Sequence, residues 1–278
     1  MPLVPTVDLI DDARALSRAI GAFNVICLEH AEAIVAGAEA AGLPVIMQIS
    51  ENAVKFHGGR IAPLAAACVA IANGSSASVA MHLDHVESAP LMYQAAEHGF
   101  GSVMFDASTL SYADNVEATH SAVVWGHEHG LWVESELGAV GGKDGAHAPG
   151  VRTDPTEAAG FVAATGVDAL AVAVGSSHAM LDRSAALDHE LIAAIAAAVR
   201  VPLVLHGSSG VSDDELRHAV RAGMVKVNIG TALNIAFTGA VRERLVADAS
   251  VVDPRKYIAP ARDAMAAVVA HFLRVLGG

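Results

Sequence analysis

Cysteine, aromatic residues and charge are all scarce in this 278-residue chain, and it has no long hydrophobic run. Two cysteines, Cys27 and Cys68, both in apolar contexts, exclude a disulfide framework and point to a reduced, cytoplasmic setting. Wholly apolar runs such as residues 191–199 fall far short of the ~18 residues a membrane span needs. Met1-Pro2-Leu3-Val4-Pro5 has neither the basic flank nor the apolar core of a signal peptide. Lys and Arg number 17 against 30 Asp and Glu, a net charge of −13, which argues against a nucleic-acid surface. A small anion is not excluded, because a few backbone N–H groups and one cation can hold a phosphate inside an acidic protein.

What the chain has in quantity is apolar residues, 53% of the total, much of it alanine. Strand-like and helix-like patterns alternate along its length. Strand candidates, most of them near-continuous in apolar residues, cover residues 22–26, 44–49, 78–83, 101–105, 131–136, 168–174, 201–205 and 224–229. Such runs suit strands buried on both faces. Helical patterns lie between them at 28–41, 59–72, 88–98, 115–129, 155–165, 186–199, 212–221 and 231–247. Ser212-Asp213-Asp214-Glu215 reads as a capping box, and Pro155 after Asp154 as a first helical position. Eight strand–helix pairs predict an α/β fold, a (β/α)8 TIM barrel in one domain (residues 1–278), with an extra C-terminal helix in 251–278. The irregular stretch 138–154, rich in Gly, His, Asp and Pro, reads as a lid.

Chemistry gathers at the strand ends. Met81-His82-Leu83-Asp84-His85 closes the third run, with His85 just past the strand where turning backbone can bring it inward; His178 follows the sixth run, and His206 ends the seventh. A lone histidine after a strand is more often a hydrogen-bonded core residue than a ligand. Three strands that each end in histidine, with carboxylates beside them, predict a metal. Zinc suits three imidazoles and an open position; cobalt and ferrous iron also accept imidazole. Asp84 reads equally as an acid/base or as a carboxylate supporting a ligand. Asp106 ends the fourth run, and Glu134 and Glu136 share one face of the fifth, where inward acids are costly unless they meet a cation. His206-Gly207-Ser208-Ser209-Gly210 and Val227-Asn228-Ile229-Gly230-Thr231 are small-residue turns after the last two strands, a common barrel phosphate site.

These motifs resemble the class II, metal-dependent fructose-bisphosphate and tagatose-bisphosphate aldolases. The likeness runs in order from Ala22-Phe23-Asn24 through His82-Leu83-Asp84-His85, residues 133–138, 205–210 and 226–231 to Asp253-Pro254-Arg255-Lys256-Tyr257. It implies reversible retro-aldol cleavage to dihydroxyacetone phosphate and glyceraldehyde 3-phosphate. His85, His178 and His206 would hold the zinc, with Asp106 and Glu136 near an alternative metal position and His82 in support. Asp84 would move the proton at the C4 oxygen. Gly207, Ser209 and Thr231 would hold the phosphate nearest the carbonyl, and Asn228 the dihydroxyacetone-phosphate half. Asn24 and Ser50 would line the pocket, and a monovalent cation would accompany the zinc. Arg255 would reach the distal phosphate from a neighbouring subunit, which implies a homodimer or homotetramer.

The chain departs from the family pattern in several places. Gly141-Gly142-Lys143-Asp144-Gly145 puts Asp144 where the lid normally has a catalytic glutamate. Ala179 replaces a glycine, and Asp182, beside Arg183, stands where some members have a phosphate-binding lysine. Gly230 replaces the aspartate of the fructose enzymes, as small residues do in the tagatose type, so both sugars stay open. Two other readings compete: a Schiff-base aldolase using Lys226, and a non-catalytic barrel that binds a sugar phosphate.

Overall fold

Buried parallel strands need a covering helix after each one, and that requirement organises the structure. In the computed structural model, which describes residues 3–137, 152–176 and 183–277, eight parallel strands close into a barrel in sequence order. They are β1 (Ile20–Asn24), β2 (Val45–Ser50), β3 (Val79–Val86), β4 (Ser102–Phe105), β5 (Trp132–Glu136), β6 (Ala169–Ala171), β7 (Leu203–Leu205) and β8 (Met224–Ile229). The helices among the described residues are α1 (Thr6–Ala15), α2 (Leu28–Ala41), α3 (Glu51–Phe56), α4 (Ala62–Asn73), α5 (Ala89–Met92), α6 (Tyr112–Glu128), α7 (Pro155–Thr165), α8 (His189–Ala198), α9 (Asp213–Ala222), α10 (Thr231–Ala247) and α11 (Arg255–Leu276). The chain is thus a TIM barrel with an extra C-terminal helix, as expected from the alternation.

Two apolar layers hold it. Outward strand residues such as Phe23, Met47, Leu83, Val133 and Leu205 pack under the helices. Inside, Ile20, Ala22, Ile46, Ala80, Met104, Trp132 and Val204 fill the lower barrel, and Leu9, Ile10 and Ala13 of α1 plug its base. Four small alanines among the inward positions (Ala22, Ala80, Ala169, Ala171) leave volume for the polar side chains above. Caps sit where the sequence puts them. Ser212 accepts from the Glu215 N–H at 3.3 Å, although the Glu215 carboxylate takes the Leu187 N–H instead of completing a capping box, and Asp154 accepts from Thr156 and Glu157 ahead of α7.

The differences from expectation are local. α1 and α3 were not anticipated, although Thr6, Leu9, Ile10 and Ala13 follow a helical spacing. Residues 88–98 form α5 and a 3₁₀ turn at Ala96–His98 rather than one helix, and Gly99 in the left-handed region ends the segment. β6 and β7 are shorter than the apolar runs that announced them. The lid stretch lies almost wholly outside the described residues, and Asp144 with it.

Candidate metal centre and active site

β3 carries the first part of the site, and its backbone is irregular there. In a regular strand neighbouring side chains face opposite sides. Asp84 and His85 nevertheless offer ligand atoms to one point, together with His206. The pairing of β3 with β4 slips between Leu83 and Val86, and His85 takes a φ of 49°, a value a non-glycine residue rarely adopts. The bulge turns His85 inward from within β3, not from just past its end as the sequence suggested. Strain of this kind collects at functional sites.

His206, at the end of β7, meets His85 across the barrel: its Nδ1 lies 3.0 Å from His85 Nε2. Each ring is anchored through its other nitrogen. His85 Nδ1 is 2.9 Å from Asp106, and His206 Nε2 is 2.9 Å from Glu134. Metal-binding histidines are held in this way. Two nitrogens on one tetrahedral zinc, each at ~2.0–2.1 Å, stand about 3.3 Å apart, close to what is seen. A second donor group, His85, Asp106 and Glu136, shares the same histidine.

The electrostatics call for a cation at this point. Burial works to lower the His85 pKa, but the Asp84 charge, the Asp106 hydrogen bond and the Glu136 charge outweigh it and hold it up at about 10. Burial would raise the Asp106 carboxyl, yet hydrogen bonds from His85 and Ser108 keep it well below the usual carboxylate range. Without a metal, a proton on His85 meets that demand through neutral pH. A divalent ion meets it by displacing the proton. The donors present therefore fit a divalent metal.

Asp84 is buried beside them and gripped by three amides. Its Oδ2 accepts from Asn24 Nδ2 at 2.9 Å and Gln48 Nε2 at 3.3 Å, and its Oδ1 accepts from Asn228 Nδ2 at 3.3 Å. Asn24 and Gln48 are register partners on β1 and β2, so the sheet itself aligns the grip. Asn228 Oδ1 and Gln48 Oε1 are buried with no hydrogen-bond partner among the described residues. Both line the cavity and can accept from a bound hydroxyl.

The cavity has a volume of about 560 Å³ and joins these groups to the turns after β7 and β8. Gly207 sits in the left-handed region and opens the Ser208–Gly210 turn. Ser209 Oγ accepts from the Ala232 N–H at 3.0 Å, tying that turn to the start of α10. Gly230 precedes α10 under a tight constraint: an added Cβ would lie 2.8 Å from Asn24 Oδ1. The aspartate it replaces could not fit without displacing Asn24.

A barrel of this order, with donors at its carboxyl end, narrows the family sharply, and comparison with known proteins decides it. The family model for class-II fructose-bisphosphate aldolase matches residues 4–278. The chain belongs to this family. A fructose-bisphosphate aldolase of Geobacillus stearothermophilus is 38% identical over 100% of this chain and 98% of its own length. A 6-phospho-5-dehydro-2-deoxy-D-gluconate aldolase of Shouchella clausii is 39% identical over 92% of this chain and 88% of its own. Among solved structures, the YdjI aldolase of Escherichia coli K12 superposes with a TM-score of 0.84 at 32% identity, covering 99% of this chain and 97% of that one. The chain is therefore a class II aldolase, a carbon–carbon lyase.

Seen as a member of that family, most of the expected site is assembled. Asn24, Ser50, Asp84, His85, Asp106, Glu136, His206, Gly207, Ser209, Asn228, Gly230 and Thr231 all line one cavity. His178 lies outside the described residues, as do Ala179 and Asp182. Arg255 starts α11 with its side chain 88% exposed and paired to Asp253, and it does not reach the cavity of its own chain. His82 is not with the metal donors; its Nδ1 meets Ser102 Oγ at 2.8 Å, below them. The paired glutamates of β5 divide their work. Glu136 joins a donor group, whereas the cation that Glu134 meets is Lys226, at 2.8 Å.

Lys226 is fully buried, bound to Glu134 and absent from the cavity lining, so it offers no free amine to a substrate carbonyl. Sequence reasoning did not single out Gln48, and it read Glu134 only as an inward acid in need of a cation. A polar residue at an inward strand position was the available signal for both. The described residues contain no helix long and apolar enough to cross a membrane.

Proposed function

We propose that this aldolase cleaves fructose 1,6-bisphosphate reversibly, using one zinc ion held by His85, His178 and His206. Cobalt and ferrous iron are the alternative metals. The observation that carries the reading is the convergence of His85 and His206 at 3.0 Å beside an Asp84 carboxylate gripped by three amides. Bound there, zinc supplies Lewis-acid polarisation of the substrate carbonyl.

The remaining steps belong to the chain. Asp84 takes the C4 hydroxyl proton as the C3–C4 bond breaks, and returns it in the condensation direction. Asn24, Gln48 and Asn228 hold that carboxylate in place, and Asn228 also faces the dihydroxyacetone-phosphate half. Asp144 on the lid delivers the proton to C3. Backbone N–H groups around Gly207, Ser209, Gly230 and Thr231, backed by the N-terminus of α10, hold the phosphate next to the carbonyl. Asp106 and Glu136 would provide the alternative metal position, and a monovalent cation would accompany the zinc. Ser50 lines the same pocket. Arg255 of a neighbouring subunit takes the distal phosphate, so the working enzyme is a homodimer or homotetramer. Residues 1–278 act as one domain of a cytoplasmic enzyme.

A second substrate has specific support. The Shouchella clausii relative is named for a ketose acid phosphorylated beside its ketone. That compound shares the phosphate-next-to-carbonyl half with fructose 1,6-bisphosphate and differs at the distal end. Gly230 keeps the tagatose epimer open as well. Zinc-loaded protein assayed on all three compounds separates them: the proposal expects the highest kcat/KM for fructose 1,6-bisphosphate. A higher value for either of the others reassigns the substrate and leaves the chemistry intact.

A further inference from the structure

Beneath the metal donors a polar column runs down the barrel interior, through residues that are fully buried. Lys226 Nζ donates to Glu134 Oε2 at 2.8 Å and lies 3.4 Å from His82 Nε2. His82 Nδ1 stands 2.8 Å from Ser102 Oγ, which is 2.7 Å from Thr6 Oγ1 on α1. Upward, Glu134 Oε1 meets His206 Nε2 at 2.9 Å. All of these groups are excluded from solvent. Each hydrogen bond must therefore be made within the column.

The direction of the bonds follows from the ends. An ammonium only donates, and a carboxylate only accepts. Lys226 therefore takes one lobe of Glu134, and the other lobe needs a donor from His206 Nε2. That places the ring proton on Nε2 and leaves Nδ1 facing His85. Asn228 Nδ2 lies 3.2 and 3.5 Å from the two ring nitrogens, nearly equidistant, and so does not select between them.

We infer that Glu134 and Lys226 are positioning residues that choose which nitrogen of His206 faces the metal. Glu134 fixes the tautomer, and Lys226 orients Glu134 from the side away from the site. Neither touches the substrate cavity. The inference rests on His206 being a metal ligand, and it adds that a lysine two hydrogen bonds from the ion controls its affinity.

Nitrogen-15 NMR of histidine-labelled, metal-free wild-type protein tests the tautomer without any substitution. The expected signal for His206 is a protonated Nε2 and an unprotonated Nδ1; the opposite tautomer overturns the inference. Zinc affinity, measured by chelator competition on variants whose folding is checked by circular dichroism, tests the control. Glu134→Gln and Lys226→Met should each weaken zinc by about 10–100-fold, the usual cost of losing a group that orients a metal-bound histidine. Where either single variant does not fold, Lys226→Met/Glu134→Gln removes both charges together and should show the same weakening. Thr6→Val, at the far end of the column, should bind zinc as the wild type does. Wild-type affinity in the folded Glu134 and Lys226 variants overturns the inference, and equal weakening by Thr6→Val reduces it to packing. His206→Ala keeps the two levels separate: full zinc content in that variant contradicts the ligand assignment itself.

Discussion

In the proposed mechanism Asp84 is the residue on which bond cleavage turns, and its environment holds it firmly. Three amides hold it, two of them from β1 and β2. Asp84→Ala should retain zinc and lose cleavage by at least ~10²-fold, the usual scale for an acid/base. Metal analysis beside steady-state kinetics checks this, and retained turnover would make Asp84 a mere support. Gly230→Ala is gentler. Its Cβ would press on Asn24 and pull one hydrogen bond from Asp84. A hydrogen bond to a charged group is worth ~1.5–3 kcal/mol, so kcat/KM should fall by about tenfold or more with zinc content unchanged. Cys68 offers a control away from the site. Burial pushes its thiol up to about 12, so it should resist thiol reagents at neutral pH until the protein unfolds. Rapid labelling of the native protein at this cysteine would contradict its burial. Asp84, His85 and His206 were legible because reactive residues close apolar runs. Glu134 was seen only as an inward acid, since its partners Lys226 and His206 lie 92 and 72 residues away.

At the level of elements, the decisive feature is the bulge in β3. Sequence periodicity gives Asp84 and His85 opposite faces, and only the φ of 49° with the slipped register brings them together. That irregularity has no sequence signature, which is why His85 was expected past the strand end. α1 makes the complementary case. Its buried positions follow helical spacing, but it precedes the first strand and has no side-chain cap. Its plug role follows from closure of the barrel above it. Ile10 is 1% exposed in the barrel base, so Ile10→Ala should cost ~2–5 kcal/mol in urea unfolding. Because it lies below the polar column, kcat at 25 °C should be unchanged in the folded fraction. A midpoint equal to the wild type would mean that α1 does not seal the base.

For the whole molecule, the eight-strand order was legible because each buried strand and covering helix repeats the same pattern. The candidate metal site was less so, because donors from separate strands meet only when the barrel closes. Arg255 points to a still larger scale. Its side chain is exposed and does not line its own cavity, so sedimentation should find a dimer or tetramer, and a monomer with full activity would contradict the proposed shared site. The most direct test of the account is a metal-reconstitution assay. Protein stripped with EDTA should form no dihydroxyacetone phosphate from fructose 1,6-bisphosphate, and one zinc per chain should restore it. Cleavage that persists in the stripped protein, with substrate trapped on a lysine by borohydride, would contradict it.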